Sequence, residues 1–204
     1  MSDMRLLTSY EILDISPEQI KESREKNGGR LILKGIVQRA DALNQNGRVY
    51  PRNILEREIR NYQKFIIENR AMGEADHPDS SVVSLQKVSH IMREAVMDED
   101  GVVRGAVEIL GTPCGKIIEN LIDAGIKVGI SSRGVGSVKQ QGDYLIVQDD
   151  FQLIAFDMVA DPSTPQAFML PEGRRLAEGL DMNKVFNKSD RINRIANEIL
   201  FPKK

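Results

Sequence analysis

The chain has 204 residues, 41% of them hydrophobic and 28% charged, with a formal net charge of −2. That length suits one domain, with or without tails, and is enough to bury a core. The near-neutral charge gives no global electrostatic case for nucleic acid or an anionic membrane as partner. A single cysteine, Cys114, excludes an internal disulfide, and no Cys/His spacing suggests zinc, so neither metal nor cofactor is expected. No apolar run near the N-terminus has signal-peptide length and none elsewhere reaches about 18 residues, so a cytosolic, reducing compartment is expected.

Residues 1–29 are polar and charge-rich, end in Lys26-Asn27-Gly28-Gly29, and read as a flexible or weakly helical arm. Residues 30–39 carry the β-like run Leu31-Ile32-Leu33-Lys34-Gly35-Ile36-Val37. Asn44-Gln45-Asn46-Gly47 signals a turn. Pro51 suits a first helical turn, and Ile54, Leu55, Ile59, Tyr62, Phe65 and Ile66 recur at helical spacing, which predicts an amphipathic helix over 51–70. The segment Gly73-Glu74-Ala75-Asp76-His77-Pro78-Asp79 reads as a loop. Strands follow over 88–97 and 102–110, joined by Asp98-Glu99-Asp100-Gly101, then a short helix over 113–123 stopped by Gly125. Further strands fit 127–131, 144–147 and 151–159, with a glycine-rich connection over 132–142. After Pro162 alternation is lost. Residues 174–200 are charged and helix-prone, with Val185, Phe186, Ile192, Ile195, Ile199 and Leu200 in near-helical, amphipathic spacing. Many strands and few helices, not alternating one for one, predict an α+β fold, a β-barrel-like core of antiparallel strands flanked by helices, rather than a doubly wound sheet. The expected organisation is an arm over 1–29, a folded core over 30–170 and a tail over 171–204.

Only two histidines occur, so histidine-dependent chemistry must use His77 or His90. His77 sits among Glu74 and Asp76, a setting for a general base whose imidazolium a carboxylate can stabilise. Spacing alone fits a solvated histidine in an acidic turn better than a general base. Gly129-Ile130-Ser131-Ser132-Arg133-Gly134-Val135-Gly136-Ser137 offers a serine at a strand end with glycines that permit close backbone approach to an oxyanion, and Arg133 beside them. A glycine-rich hairpin would look the same. Neither a phosphate loop nor the Gly-x-Ser-x-Gly elbow is present. Asp157 interrupts an apolar strand and needs a partner if buried. His90 shares a strand face with Val88 and Met92 and reads as packed. Cys114 at a helix start has no oxyanion site around it.

Three segments in order, Asn44-x-Asn46-x-Arg48-x-Tyr50-Pro51, Gly73-Glu74-x-x-His77-Pro78 and Gly129-x-Ser131-Ser132-Arg133-Gly134-x-Gly136-Ser137, followed by Asp157 and Pro162-Ser163, resemble the prohead proteases of large contractile-tailed phages. The resemblance covers roughly residues 30–170. It implies an assemblin-like fold and a serine endopeptidase made as an inactive precursor inside the immature capsid in the host cytoplasm. Its substrates would be scaffold and core proteins, the major capsid protein and itself. A homo-oligomer is left open. By match to the motifs, His77 is the base and Ser131 the nucleophile, with Ser132 the alternative. Asp157 is the first choice for the third group, then Glu74, then His90. Arg133, Gly134 and Gly136 would form the oxyanion or substrate loop. Cleavage after glutamate with an aliphatic residue two before it and a small one after would place self-cleavage at Glu178–Gly179 and at Glu22–Ser23. A catalytically inactive core protein of the prohead is the alternative function.

Overall fold

In the computed structural model, described over residues 17–78, 80–164 and 167–171, the elements run α1 (Pro17–Lys26), β1 (Ile32–Arg39), β2 (Arg48–Val49), α2 (Arg52–Ile67), β3 (Met72–Glu74), β4 (Val88–Met97), β5 (Val102–Ile109), α3 (Pro113–Asp123), β6 (Gly129–Val135), β7 (Val138–Gln141), β8 (Tyr144–Val147), β9 (Gln152–Val159) and β10 (Met169–Pro171). All of these lie in one compact unit spanning Asp14–Arg175.

Five strands form one antiparallel sheet in the order β10-β1-β5-β4-β3, and β6 pairs β9 in a second. Two isolated bridges join them into a ring. Ala75, just past β3, bridges Met158 of β9 in parallel, and Gly129 of β6 bridges Phe168, just before β10. The core is thus barrel-like, as expected, although two of its seams are single bridges rather than full ladders. A small third sheet, β2-β8-β7, stands apart.

Apolar side chains on the inner faces make the core: Leu33, Val37, Val103, Val107, Ile130 and Ala155 are fully buried. Burying such branched side chains contributes about 1.5–3 kcal/mol each. The helices close the outside with one apolar stripe apiece. α2 buries Ile54, Leu55, Ile59 and Tyr62 and packs on β4 and β9. α3 buries Ile118 and Ile122 against β4 and β5. Its start is capped by Thr112, whose Oγ1 accepts from the Gly115 N–H, and Gly125 ends it at φ 76°.

Several expectations need adjustment. Gly73 and Glu74, read as loop, belong to strand β3, because pairing with β4 supplies hydrogen bonds that their own propensity does not demand. The connection over 132–142 is mostly strand, with β6 running on to Val135 and β7 following. The arm over 1–29 contains α1, whose Ser23 is buried and exchanges hydrogen bonds with both the O and N of Ile32. The amphipathic tail, with Glu178 and Gly179, lies outside the described residues.

Candidate active site

The β6–β9 ladder sets the site. Ser131 stands directly opposite Asp157, and Ser132 opposite Phe156. Opposed residues of an antiparallel pair share a face, and neighbours along a strand alternate. Ser131, Arg133 and Asp157 therefore share one face, and Ser132 turns to the other. There the Ser132 Oγ accepts from Gln38 Nε2 at 2.7 Å, and Gln38 Oε1 in turn accepts from Thr164 Oγ1 and the Arg39 N–H.

His77 reaches this face from the opposite side of the seam. After β3 the chain stays beside β9, with Asp76 N–H donating to Met158 O at 2.8 Å. Asp76 then takes φ 64°, a left-handed conformation that aspartate tolerates better than most residues, and turns the chain outward. His77 Nδ1 comes within 2.9 Å of Asp157 Oδ2. Its side chain is 39% exposed, whereas Asp157 is completely buried.

Asp157 is saturated. Oδ1 accepts from Glu74 N at 3.0 Å and Arg133 Nη2 at 3.2 Å, while Oδ2 meets His77 Nδ1 at 2.9 Å and accepts from Arg133 Nε at 2.7 Å. Two partners on each oxygen match what a carboxylate can accept. Burial alone would raise its pKa, but the hydrogen bonds from His77, Arg133 and the Glu74 N–H, together with the Arg133 charge, outweigh burial and hold it below the ordinary aspartate value. An ionised Oδ2 can only accept, so His77 Nδ1 is the donor in this hydrogen bond.

The Ser131 Oγ lies 3.0 Å from Ser163 Oγ and, among the described residues, makes no direct hydrogen bond to His77. Ser131 is buried at 2% exposure. His90 is elsewhere engaged: Nε2 donates to Phe156 O and Nδ1 meets Ser89 Oγ, both at 2.9 Å, and desolvation lowers its pKa to about 4. Glu74 faces Arg133 rather than His77, accepting from Arg133 Nη2 at 3.1 Å and Ser84 N at 2.9 Å on Oε1. The structure therefore gathers His77, Arg133 and Glu74 around Asp157, which stands opposite Ser131 in the ladder, while Ser132 and His90 have other partners.

Gly134 and Gly136 serve close packing. A Cβ on Gly134 would lie 2.4 Å from the Phe151 ring, and one on Gly136 2.7 Å from the Phe151 Cα. Neither is among the glycines with positive φ. They let Phe151 pack against the strand end, and Phe151 also meets Tyr50 edge-on at 5.3 Å. Arg133 likewise points inward, at 8% exposure, with Nη1 donating to Ser80 O at 2.6 Å.

A histidine on a buried aspartate, set across a strand pair from a serine, fits the pattern of peptide hydrolases. The family of prohead core protein serine proteases matches residues 7–178. The chain belongs to that family. It is 33% identical over 147 residues to the prohead core protein protease of Enterobacteria phage T4, covering 70% of this chain and 69% of that protein. Among solved structures, the bacteriophage T4 capsid assembly protease superposes with a TM-score of 0.62 at 27% identity, covering 76% of this chain and 93% of that one. The chain is a prohead protease of capsid maturation. In this prohead protease, sequence reasoning missed the partnership of Arg133 and Glu74 with Asp157 and the contact of Ser163 with Ser131. The first was half visible, since Arg133 stands two residues after Ser131 and so on its face.

Proposed function

We propose that this prohead protease is a serine endopeptidase in which Ser131 attacks, His77 is the base and Asp157 orients and supports the imidazole. The observation that carries the reading is Asp157 itself, bonded to His77 Nδ1 and directly opposite Ser131 in the ladder. Ser132, the alternative nucleophile, faces Gln38 across the strand.

For attack, the Ser131 hydroxyl turns from Ser163 toward His77 Nε2. The Oγ bonds to the scissile carbonyl carbon as its proton passes to Nε2. The same proton then goes to the leaving amine as the peptide C–N bond breaks, leaving an acyl-enzyme on Ser131. A water attacks in turn, giving its proton to His77, and the acid product leaves as Ser131 regains a hydrogen. Asp157 stays ionised throughout.

Its substrates are scaffold and core proteins, the major capsid protein and the chain itself, cut after glutamate within the immature capsid in the host cytoplasm. Self-cleavage is proposed after Glu178 and after Glu22. The Glu22–Ser23 bond lies inside α1, with Ser23 buried. Proteases take substrate as extended chain, so cutting there follows local unwinding of α1.

The test is self-processing of the full chain followed by mass spectrometry, with an internally quenched peptide carrying Leu-Ala-Glu-Gly, the sequence of residues 176–179. Ser131→Ala and His77→Ala abolish both reactions, and Ser132→Ala retains them. Processing by Ser131→Ala, or its loss in Ser132→Ala with the fold intact, overturns the assignment. An inactive core protein leaves chain and peptide whole.

A further inference from the structure

The guanidinium of Arg133 does three things at once. Nε and Nη2 grip both oxygens of Asp157, Nη2 also reaches Glu74 Oε1, and Nη1 donates to Ser80 O in the segment that follows His77. Glu74 completes the circuit: its backbone N–H donates to Asp157 Oδ1 and its Oε1 accepts from Ser84 N. Both ends of the chain around His77 are thereby tied to one buried guanidinium. Only arginine presents a planar fork that binds a carboxylate side-on while sparing donors for two further acceptors.

The charge count has a catalytic sense. Asp157 and Glu74 have no exposed surface, and Arg133 has little. Two carboxylates against one guanidinium leave one formal negative charge, which an imidazolium at His77 balances. Such a cluster favours the state of His77 that exists only while the Ser131 proton is in transit. Glu74 Oε2 is buried and makes no hydrogen bond among the described residues.

On the reading of His77, Ser131 and Asp157 given above, we propose that Arg133 and Glu74 are positioning residues. Arg133 locks the Asp157 carboxylate and the segment after His77, and Glu74 sets Arg133 and supplies the extra negative charge. Neither touches substrate. Arg133 is therefore committed to the buried carboxylates rather than to an oxyanion.

The test uses the full chain and the Leu-Ala-Glu-Gly peptide. The variants are Arg133→Lys, Glu74→Gln, which removes the extra negative charge, and the double Arg133→Gln/Glu74→Gln, which removes the clamp while the cluster keeps one negative charge on Asp157. Turnover falls roughly a hundredfold in the double variant with KM little changed, less than the roughly 10⁴-fold that follows loss of the aspartate's charge. Arg133→Lys recovers part of the loss.

The second readout is the imidazole NMR spectrum of ¹⁵N-histidine protein in a Ser131→Ala background. The chain has two histidines, so His77 reports on the clamp and buried His90 on the fold. The His77 Nδ1 proton weakens or shifts in the clamp variants while His90 holds. Unchanged turnover and an unchanged His77 signal overturn the proposal. So do His77 and His90 signals lost together, which makes the clamp a general structural staple. Full activity of Asp157→Asn instead overturns the triad reading, whereas an impaired Asp157→Asn beside active clamp variants overturns this proposal alone.

Discussion

Acidification tests His90 as a structural pin. The ring is fully buried, and desolvation lowers its pKa from 6.5 to about 4. Charged and titratable neighbours face it from three elements. Asp157 acts across Phe156 on β9, Glu74 follows the opposed Gly73 on β3, and Tyr62 of α2 stacks edge-on with Phe156 at 5.5 Å. Asp157 favours the protonated ring, but burial prevails. The folded state thus binds the His90 proton more weakly than the unfolded state does. Its contribution is full above the unfolded value and is lost as pH falls toward about 4. The gap corresponds to about 3 kcal/mol, of which about 2 kcal/mol disappears between roughly pH 7 and 4.5. Asp157 has its pKa lowered, so its contribution is lost only below that window.

The assay is urea unfolding of Ser131→Ala protein across that range, with and without His90→Gln. Glutamine keeps a donor for Phe156 O and cannot titrate. Stability of the parent falls by about 2 kcal/mol more than that of His90→Gln on acidification. Parallel pH dependences refute the argument, because His90 would then not be the group that resists protonation. The same acid step protonates His90 Nδ1, so the ring no longer accepts from Ser89 Oγ while Nε2 still donates to Phe156 O, and activity should fall only as the fold does.

Three substitutions test the frame around the site, each read by denaturant or thermal midpoint. In Gly73→Ala the new Cβ would lie 2.0 Å from Phe156 O and 2.3 Å from His90 Nε2, so the loss is about 3 kcal/mol or more, and a neutral result means the β3–β9 seam is looser than described. Thr112→Ala removes the α3 cap and a hydrogen bond to Val88 O, at a cost of about 1 kcal/mol. Glu58→Ala strands the Leu153 N–H, which now donates to Glu58 Oε2 at 2.9 Å, and loses about 1–3 kcal/mol.

Periodicity made α2 and α3 legible, because an apolar stripe recurring every three to four residues is a local signal. The β4–β5 hairpin was legible for a similar reason. Its Asp98-to-Gly101 turn carries its own chemistry, with Gly101 at φ 78° and Asp98 Oδ1 accepting from the N–H groups of Asp100 and Val102. β3 and β10 were not legible. Each is three residues long and exists because a neighbouring strand offers partners, and no window of sequence contains that neighbour. The candidate site divides the same way. That Ser131 and Ser132 face apart follows from strand parity alone, and so does the shared face of Ser131 and Arg133. Which of the serines meets Asp157 depends on the register of two strands separated in the sequence by residues 136–151, and register is a tertiary fact.

The place where sequence reasoning gave least is also where the ring of strands has least backbone holding it. Between β3 and β9, among the described residues, the backbone pairs through the single bridge at Ala75, to which the hydrogen bond from Asp76 N–H to Met158 O belongs. A full ladder there would continue β3 past Ala75 and leave no room for the left-handed turn that carries His77 over Asp157. The ladder is instead replaced by side chains. Arg133 holds Ser80 O, Glu74 holds Ser84 N, and Asp157 holds Glu74 N. Charge-assisted hydrogen bonds in a buried setting are stronger than backbone pairs, and they can be spaced around a site that a ladder would cross. A seam of this kind ties down the backbone on both sides of His77. It also explains why Gly73 and Glu74, poor strand formers with no apolar side chain between them, occupy the strand that leads to His77. Gly73 lets Phe156 O and the His90 ring approach the backbone, and Glu74 anchors the guanidinium that stands in for the missing pairs.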